Sequence, residues 1–312
     1  MVNKILIVGY GSIGQKYYKI IIKRYPKIKV AVYTKQNIFL KNKIKNFIEI
    51  LSFDPDLTIF CTPSSKRLEI LKVLKKTKTH ILFEKPLTNN FKRTKKILEK
   101  KNTIYKVGYN LRQLKILTKF RSLLNNKKIG KIYSYHIEAG QFLPDWRKRD
   151  YFKTVSARKN LGGGVILELS HEIDYAIWLF GKIMKVKSIS GKLSNLRIDT
   201  EDTSKILLLN ENKAIGSINL DFLTRNKKRF CHVVGSKGEL ILDFNKKNIK
   251  YYNNNSMKWS NIYKNNQEIK ETYLSQLNEM MKVIKNNKVH NNLGSIQDSK
   301  YILKIIEKIK SS

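Results

Sequence analysis

The chain opens on MVNKILIVGYGSIG, a stretch that leaves few folds open. Ile5-Leu6-Ile7-Val8 is an unbroken apolar, largely β-branched run, the pattern of a strand buried on both faces. It ends at Gly9-Tyr10-Gly11-Ser12-Ile13-Gly14, the spacing G-x-G-x-x-G. A segment of helical period follows, with Ile13, Tyr17, Ile20 and Ile21 along one side. In that setting Gly9 allows the tight turn out of the strand, Gly11 lets a pyrophosphate approach the backbone, and Gly14 lets the helix pack closely on the sheet. The first turn of the helix, from Ser12 and Ile13, offers backbone N–H groups and a positive dipole end to phosphates. Strand, fingerprint and helix in this order predict a dinucleotide-binding unit.

Charge raises a competing reading. The 312 residues carry a formal net charge of +39, large enough to suggest nucleic-acid binding. The basic residues, however, are mostly lysines scattered along the whole chain among many asparagines. Arginine, the usual reader of base edges, is sparse, and no RNP, zinc-finger or basic-zipper pattern appears, so no specific nucleic-acid partner is expected. The two cysteines, Cys61 and Cys231, stand far apart in apolar, strand-like settings and read as small core residues. No cleavable leader and no bilayer-length apolar run is seen, so a cytoplasmic location without a membrane partner is expected.

Strands and helices alternate through the first third. Ile28–Tyr33 reads as a second strand, and the place where a carboxylate would hold ribose hydroxyls reads Tyr33-Thr34-Lys35. Thr34 and Lys35 there point to tolerance of the 2′-phosphate of NADP, with a plain surface lysine as the alternative, so the cofactor is NADP or NAD. Leu57–Cys61 is a third strand, leading into Thr62-Pro63, and a helix is expected over 67–76. His80–Phe83 leads into Glu84-Lys85-Pro86, a charged helix is expected over 90–101, and Ile104–Val107 leads into Gly108-Tyr109-Asn110. This spacing predicts an α/β fold with a doubly wound parallel sheet. Near residue 112 the pattern changes to alternating strands between Ile132 and Phe244, with a loop over Asn253–Asn266 and two closing helices, Ile269–Asn286 and Ile296–Lys310. The boundaries are therefore 1–112 for the dinucleotide-binding domain and 113–312 for a substrate-binding and oligomerising domain.

A second informative stretch is GGGVILELSHEID, Gly162 to Asp174. Three glycines before a helix permit close approach of a ligand or another domain. On one helix Glu168, His171 and Asp174 form a ridge, three residues apart. An imidazole beside carboxylates suits general acid/base work, and a buried histidine that only holds the helix is the alternative. No second histidine or cysteine cluster accompanies it, so no metal is expected.

The fingerprint, Cys61-Thr62-Pro63, Glu84-Lys85-Pro86 and the glycine run ending at His171 and Asp174 together resemble the Gfo/Idh/MocA family of NAD(P)-dependent oxidoreductases. The resemblance spans nearly the whole chain. It implies an N-terminal Rossmann domain and a C-terminal α/β domain on a mostly antiparallel open sheet. It also implies catalytic roles for Lys85 and His171. The family pattern sets an aspartate four residues before the histidine, where this chain has Leu167; Glu168 is the nearest preceding carboxylate. A narrower similarity through Leu143-Pro144-Asp145-Trp146-Arg147 and Ser156-Ala157-Arg158-Lys159 is to a branch associated with bacterial surface-sugar biosynthesis. Tyr109, Asn110, Arg112, Asp145, Trp146, Arg147, Tyr151 and Arg158 are accordingly expected on the substrate side, where aromatic faces and charged groups suit a polar sugar.

What the resemblance implies is oxidation or reduction at the carbinol or carbonyl of a sugar, sugar nucleotide or polyol. The alternatives are an imine-type reductase of the same family and a non-catalytic dinucleotide sensor. Retention of Lys85 and His171 speaks against the sensor, which needs neither. Exposed sheet faces in the second domain lead us to expect a homo-oligomer.

Overall fold

A computed structural model describes residues 2–146, 150–286 and 292–312 of the chain. The N-terminal third runs β1 (Lys4–Val8), α1 (Ser12–Arg24), β2 (Lys29–Tyr33), β3 (Lys43–Ile44), α2 (Phe47–Phe53), β4 (Leu57–Phe60), α3 (Arg67–Leu74), β5 (His80–Glu84), α4 (Phe91–Thr94) and β6 (Tyr105–Gly108). Next come α5 (Lys115–Asn125), β7 (Ile132–Gly140), α6 (Leu143–Trp146), α7 (Val165–Glu168) and α8 (Ser170–Phe180). Seven strands follow: β8 (Ile183–Gly191), β9 (Thr203–Asn210), β10 (Ile215–Asp221), β11 (Lys228–Gly235), β12 (Gly238–Asp243), β13 (Asn248–Asn253) and β14 (Lys258–Lys264). The chain closes with α9 (Thr272–Asn286), β15 (Gly294–Ser295) and α10 (Ile296–Lys310).

Two compact units result. The first holds Met1–Asn110 with Ile269–Tyr301, the second Leu111–Glu268 with Ile302–Ser312. The first unit is built on a sheet in the order β3-β2-β1-β4-β5-β6-β15, parallel except for β15. The chain winds outward from β1 through β2 to β3 on one side and from β4 to β6 on the other. The connections therefore reverse between β1 and β4, and the crevice at the carboxyl ends of those strands is where doubly wound folds bind their ligands. Ile5, Leu6, Ile7 and Val8 are wholly buried, as a strand covered on both faces requires.

The sequence reading assigns all of 113–312 to one domain, but α9 and β15 lie in the first unit. Leu277 and Met280 of α9 join Tyr17 and Ile21 of α1 in its core, and Tyr273 meets Tyr17 edge to face at 5.6 Å. β15 pairs with the edge of β6. The helix expected over 90–101 is only α4, four residues long. Lysines and an arginine at 92, 93, 95 and 96 repel one another at helical spacing, and Leu98 is left exposed.

The second unit carries an eight-stranded sheet in the order β14-β13-β12-β11-β7-β10-β9-β8. Every pair is antiparallel except β7 with β10. Along β7, Tyr135, Ile137 and Ala139 are buried while Ser134, His136 and Glu138 are partly exposed. Helices α5, α7 and α8 pack against this sheet. The expected loop over Asn253–Asn266 contains β14, because its backbone completes a hairpin with β13 and Trp259 packs across the pair against Tyr252 in a tilted contact at 5.4 Å. Among the described residues no helix is long and apolar enough to cross a membrane.

Candidate active site

In the first unit the fingerprint closes as a tight strand–turn–helix. Gly9 has φ +97°, and its N–H donates to the Tyr33 carbonyl at 2.8 Å. A β-carbon on Gly14 would sit 2.1 Å from the Gly9 carbonyl oxygen, so only glycine lets α1 start this close to β1. Gly11 differs: its backbone is extended, and nothing lies within 4 Å of where its β-carbon would be. Gly11 caps α1 without a side-chain hydrogen bond, and the first turn holds no acidic residue. Ser12 and Ile13 thus begin a helix whose positive end is satisfied neither by a cap side chain nor by a first-turn carboxylate.

Opposite this turn runs the segment after β4. A β-carbon on Gly9 would meet Thr62 Cγ2 and the Thr62 amide nitrogen at 2.9 Å, so Cys61-Thr62-Pro63 abuts the fingerprint directly. Cys61 is partly exposed and Cys231 buried; both are free thiols, and burial pushes both above the ordinary cysteine range. At the end of β2, Thr34 is buried and its hydroxyl accepts the Gln36 N–H at 3.2 Å, while Lys35 is exposed. Of these two, Lys35 is the one that faces solvent.

Glu84 ends β5 and is nearly fully buried. Tyr17 donates to its Oε1 at 2.8 Å, and Gln276 Nε2 donates to the same oxygen at 3.1 Å and to the Tyr17 hydroxyl at 2.5 Å. Burial raises the Glu84 carboxyl above its ordinary value, against the lowering pull of these hydrogen bonds and of Arg67 and Lys85. Lys85 follows, half-buried, with the Lys85–Pro86 peptide cis. Arg67, only 2% exposed, donates to the carbonyls of Thr62, Glu84, Pro86 and Leu87. Tyr109 and Asn110 are buried, and Asn110 Nδ2 donates to the Thr272 hydroxyl at 2.7 Å.

In the second unit the helix expected to carry Glu168, His171 and Asp174 as one ridge breaks at Leu169, whose φ of −97° and ψ of 28° end α7. His171 and Asp174 share α8, and Glu168 belongs to the preceding turn, partly exposed. His171 is 8% exposed, while Glu172 and Asp174 are wholly buried. Asp174 receives both arms of Arg112, Nε at 3.0 Å and Nη2 at 2.6 Å. Arg229 on β11 donates to Glu172 Oε1 at 2.7 Å. Burial alone would lower the Arg229 guanidinium, but Glu172 outweighs it and holds the group above its ordinary value. Two buried arginine–carboxylate pairs therefore grip α8 within three residues of the imidazole.

Arg112, expected on the substrate side, spends its fork on Asp174 and lies 5.5 Å from the Trp178 ring, which Arg121 also covers at 4.2 Å. The glycines before α7 admit their own chain. A β-carbon on Gly164 would meet the Glu201 carboxylate at 2.4 Å, and one on Gly163 the Val155 carbonyl oxygen at 2.2 Å. Asp145 is exposed, and Trp146 meets Phe222 edge to face at 6.1 Å. Tyr151 accepts the Arg197 N–H through its hydroxyl, and Arg158 is exposed. Arg147 lies outside the described residues.

Sequence reasoning missed Arg67, Tyr17, Gln276 and the Glu172–Arg229 pair. Only Arg67 left a signal, an arginine close behind Thr62-Pro63 in a chain whose basic residues are mostly lysines.

Two family models match the chain. One, described as the oxidoreductase family's NAD-binding Rossmann fold, covers residues 3–109; the other, the GFO/IDH/MocA C-terminal domain, covers residues 117–241. The chain belongs to the Gfo/Idh/MocA family. It is accordingly a nicotinamide-dependent oxidoreductase. Among curated proteins, the uncharacterized oxidoreductase YrbE of Bacillus subtilis is 25% identical over 260 residues, 76% of this chain and 72% of that one. Among solved structures, levoglucosan dehydrogenase in complex with NADH and levoglucosan matches with a TM-score of 0.85 at 16% identity, covering 99% of this chain and 96% of that one. The WlbA dehydrogenase of Bordetella pertussis, in complex with NADH and UDP-GlcNAcA, matches with a TM-score of 0.82 at 16% identity, covering 100% and 96%.

The residues of this Gfo/Idh/MocA chain fit the cofactor. The uncapped start of α1, the open space above Gly11 and the absence of first-turn acids form a cradle for a pyrophosphate.

Proposed function

We propose that the protein oxidises or reduces the carbinol or carbonyl of a sugar, sugar nucleotide or polyol, with His171 moving the proton and Lys85 binding the reacting oxygen. The observation that carries this reading is the double grip on α8. Glu172–Arg229 and Asp174–Arg112 fix the helix one and three positions beyond His171, although holding buried charges in place is costly unless they are well paired. Such rigidity suits a group that must meet a substrate hydroxyl within hydrogen-bond reach. The sugars named on the two similar structures support the substrate class.

Bound nicotinamide supplies the two-electron acceptor or donor. In the oxidative direction His171 accepts the hydroxyl proton, since imidazole is the side chain suited to proton exchange near neutrality. The Lys85 ammonium hydrogen-bonds the same oxygen and stabilises the negative charge that develops there. Of the two carboxylates that the sequence offers as supports for the imidazole, Asp174 shares its helix and Glu168 does not, so Asp174 is favoured as the support. Asp145, Trp146, Tyr151 and Arg158 would contact the sugar. Lys35 would meet the 2′-phosphate of NADP. Leu207 and Ile215, 58% and 59% exposed on the uncovered sheet face of the second unit, would be buried by self-association in the cytoplasm.

The experiment is incubation with NAD and with NADP across a panel of sugars, sugar nucleotides and polyols, following nicotinamide absorbance. Turnover of at least one class is expected. Tight dinucleotide binding without turnover anywhere in the panel would overturn the reading in favour of a sensor.

A further inference from the structure

Arg67 is placed as no surface residue of this lysine-rich chain is. Its side chain is 2% exposed, and its donors reach carbonyls from two separate segments. Nε and Nη2 donate to the Thr62 carbonyl at 3.2 and 3.0 Å. Nη1 is shared among the carbonyls of Glu84 and Pro86, each at 2.5 Å, and of Leu87 at 3.2 Å. Two of those carbonyls, Glu84 and Pro86, stand immediately before and after Lys85. A guanidinium presents five donors in a rigid planar fork and spans both segments at once; an ammonium offers a single point of charge. Burial lowers this arginine to about 10, which still leaves it a cation at neutral pH, with Glu84 as the nearby opposing charge.

We infer that Arg67 is a positioning residue for Lys85: by holding the carbonyls on both sides of that lysine and tying them to Thr62, it fixes where the ammonium stands. The inference rests on the proposed role of Lys85. It adds that the lysine's placement is set from the β4 side of the sheet, by a residue that touches neither substrate nor cofactor. The Thr62 segment abuts the fingerprint at Gly9, so the same bonds set the register of Lys85 against the dinucleotide cradle.

The test is a double-mutant cycle on kcat with Arg67→Gln, Lys85→Ala and the double variant, using the best substrate of the panel. NADH fluorescence titration serves as the fold control for each protein. Displacing a catalytic group by about 1 Å costs roughly 10²-fold, so Arg67→Gln should lower kcat by that order. In the Lys85→Ala background the same substitution should change kcat by less than about threefold, because residues acting as one unit are not additive. A fixed structural contribution would instead give the same loss in both backgrounds, and that result overturns the assignment while leaving Lys85 its role. A Lys85→Ala enzyme as fast as wild type overturns the role of Lys85 itself, and this inference with it. Arg67→Lys, which keeps the charge and loses the fork, runs the same cycle if Arg67→Gln does not fold. Should neither variant bind NADH as a folded protein, Arg67 belongs to the framework of the unit and the assignment falls.

Discussion

Gly11 and Gly14 stand three residues apart in the same fingerprint, and the structure gives them opposite consequences on substitution. Gly11 has φ −72° and ψ −170°, a conformation any L-residue adopts, and an added β-carbon would meet nothing within 4 Å. Gly11→Ala should therefore leave the fold intact, or stabilise it by about 0.4–1 kcal/mol through the unfolded chain. If a pyrophosphate lies over that backbone, the new methyl pushes it away from the N–H groups at the start of α1. Losing one hydrogen bond to a charged group costs about 1.5–3 kcal/mol, which is roughly 10–100-fold in dinucleotide Kd. Gly14→Ala is the contrast: its β-carbon would fall 2.1 Å from the Gly9 carbonyl oxygen, so the first βα unit must deform and the protein should lose stability. The assay is fluorescence titration of NADH and NADPH beside thermal unfolding for both variants. A Gly11→Ala protein that binds dinucleotide as wild type does, or that loses stability as Gly14→Ala does, refutes the placement of the phosphates.

Three further outcomes are expected. Asp174→Asn strands the buried Arg112 guanidinium, a change that typically costs about 3–5 kcal/mol; at about 2–4 °C per kcal/mol this is a Tm loss of about 6–20 °C, and a loss under 1 °C would contradict the pairing. Burial raises the folded Glu84 carboxyl above its ordinary 4.5, so its contribution to stability is complete below that value and is lost as pH rises through the folded pKa. Urea unfolding should accordingly show Glu84→Gln gaining on wild type as pH rises from about 4.5 to 7.5, and a stability difference that stays constant or moves in favour of wild type over that span would contradict the assignment. Lys35→Asp should move preference from NADP toward NAD by about 1–2 kcal/mol, the size of a lost hydrogen bond to charge; an enzyme already strongly selective for NAD, and indifferent to Lys35→Ala, would contradict the reading.

Steric demands carried most of the fold into the sequence. Gly9 and Gly14 are fixed by contacts that only glycine allows, and a run such as Ile5–Val8 suits only a buried strand, so the doubly wound order could be read directly. The partners of polar groups could not. Arg67 bonds to backbone carbonyls, which any residue supplies, and Gln276 reaches Tyr17 across 259 positions. The Arg112–Asp174 pair could not be read either, because nothing in the neighbourhood of Arg112 announced Asp174, 62 positions on. Helix α9 belongs to the first unit because Leu277 and Met280 fill its core, a destination that an amphipathic pattern does not name. Strand β14 was hidden by asparagines whose backbone pairs as readily as any other.

The proposed chemistry turns on His171, and single-turnover measurement of nicotinamide absorbance with His171→Ala tests it most directly. With saturating dinucleotide and the best sugar of the panel, the variant should react about 10²–10⁴-fold more slowly than wild type, the usual worth of a general acid/base, while binding NADH with unchanged Kd. A folded His171→Ala protein that reacts at the wild-type rate would make the histidine a core residue of α8 and contradict the proposed chemistry.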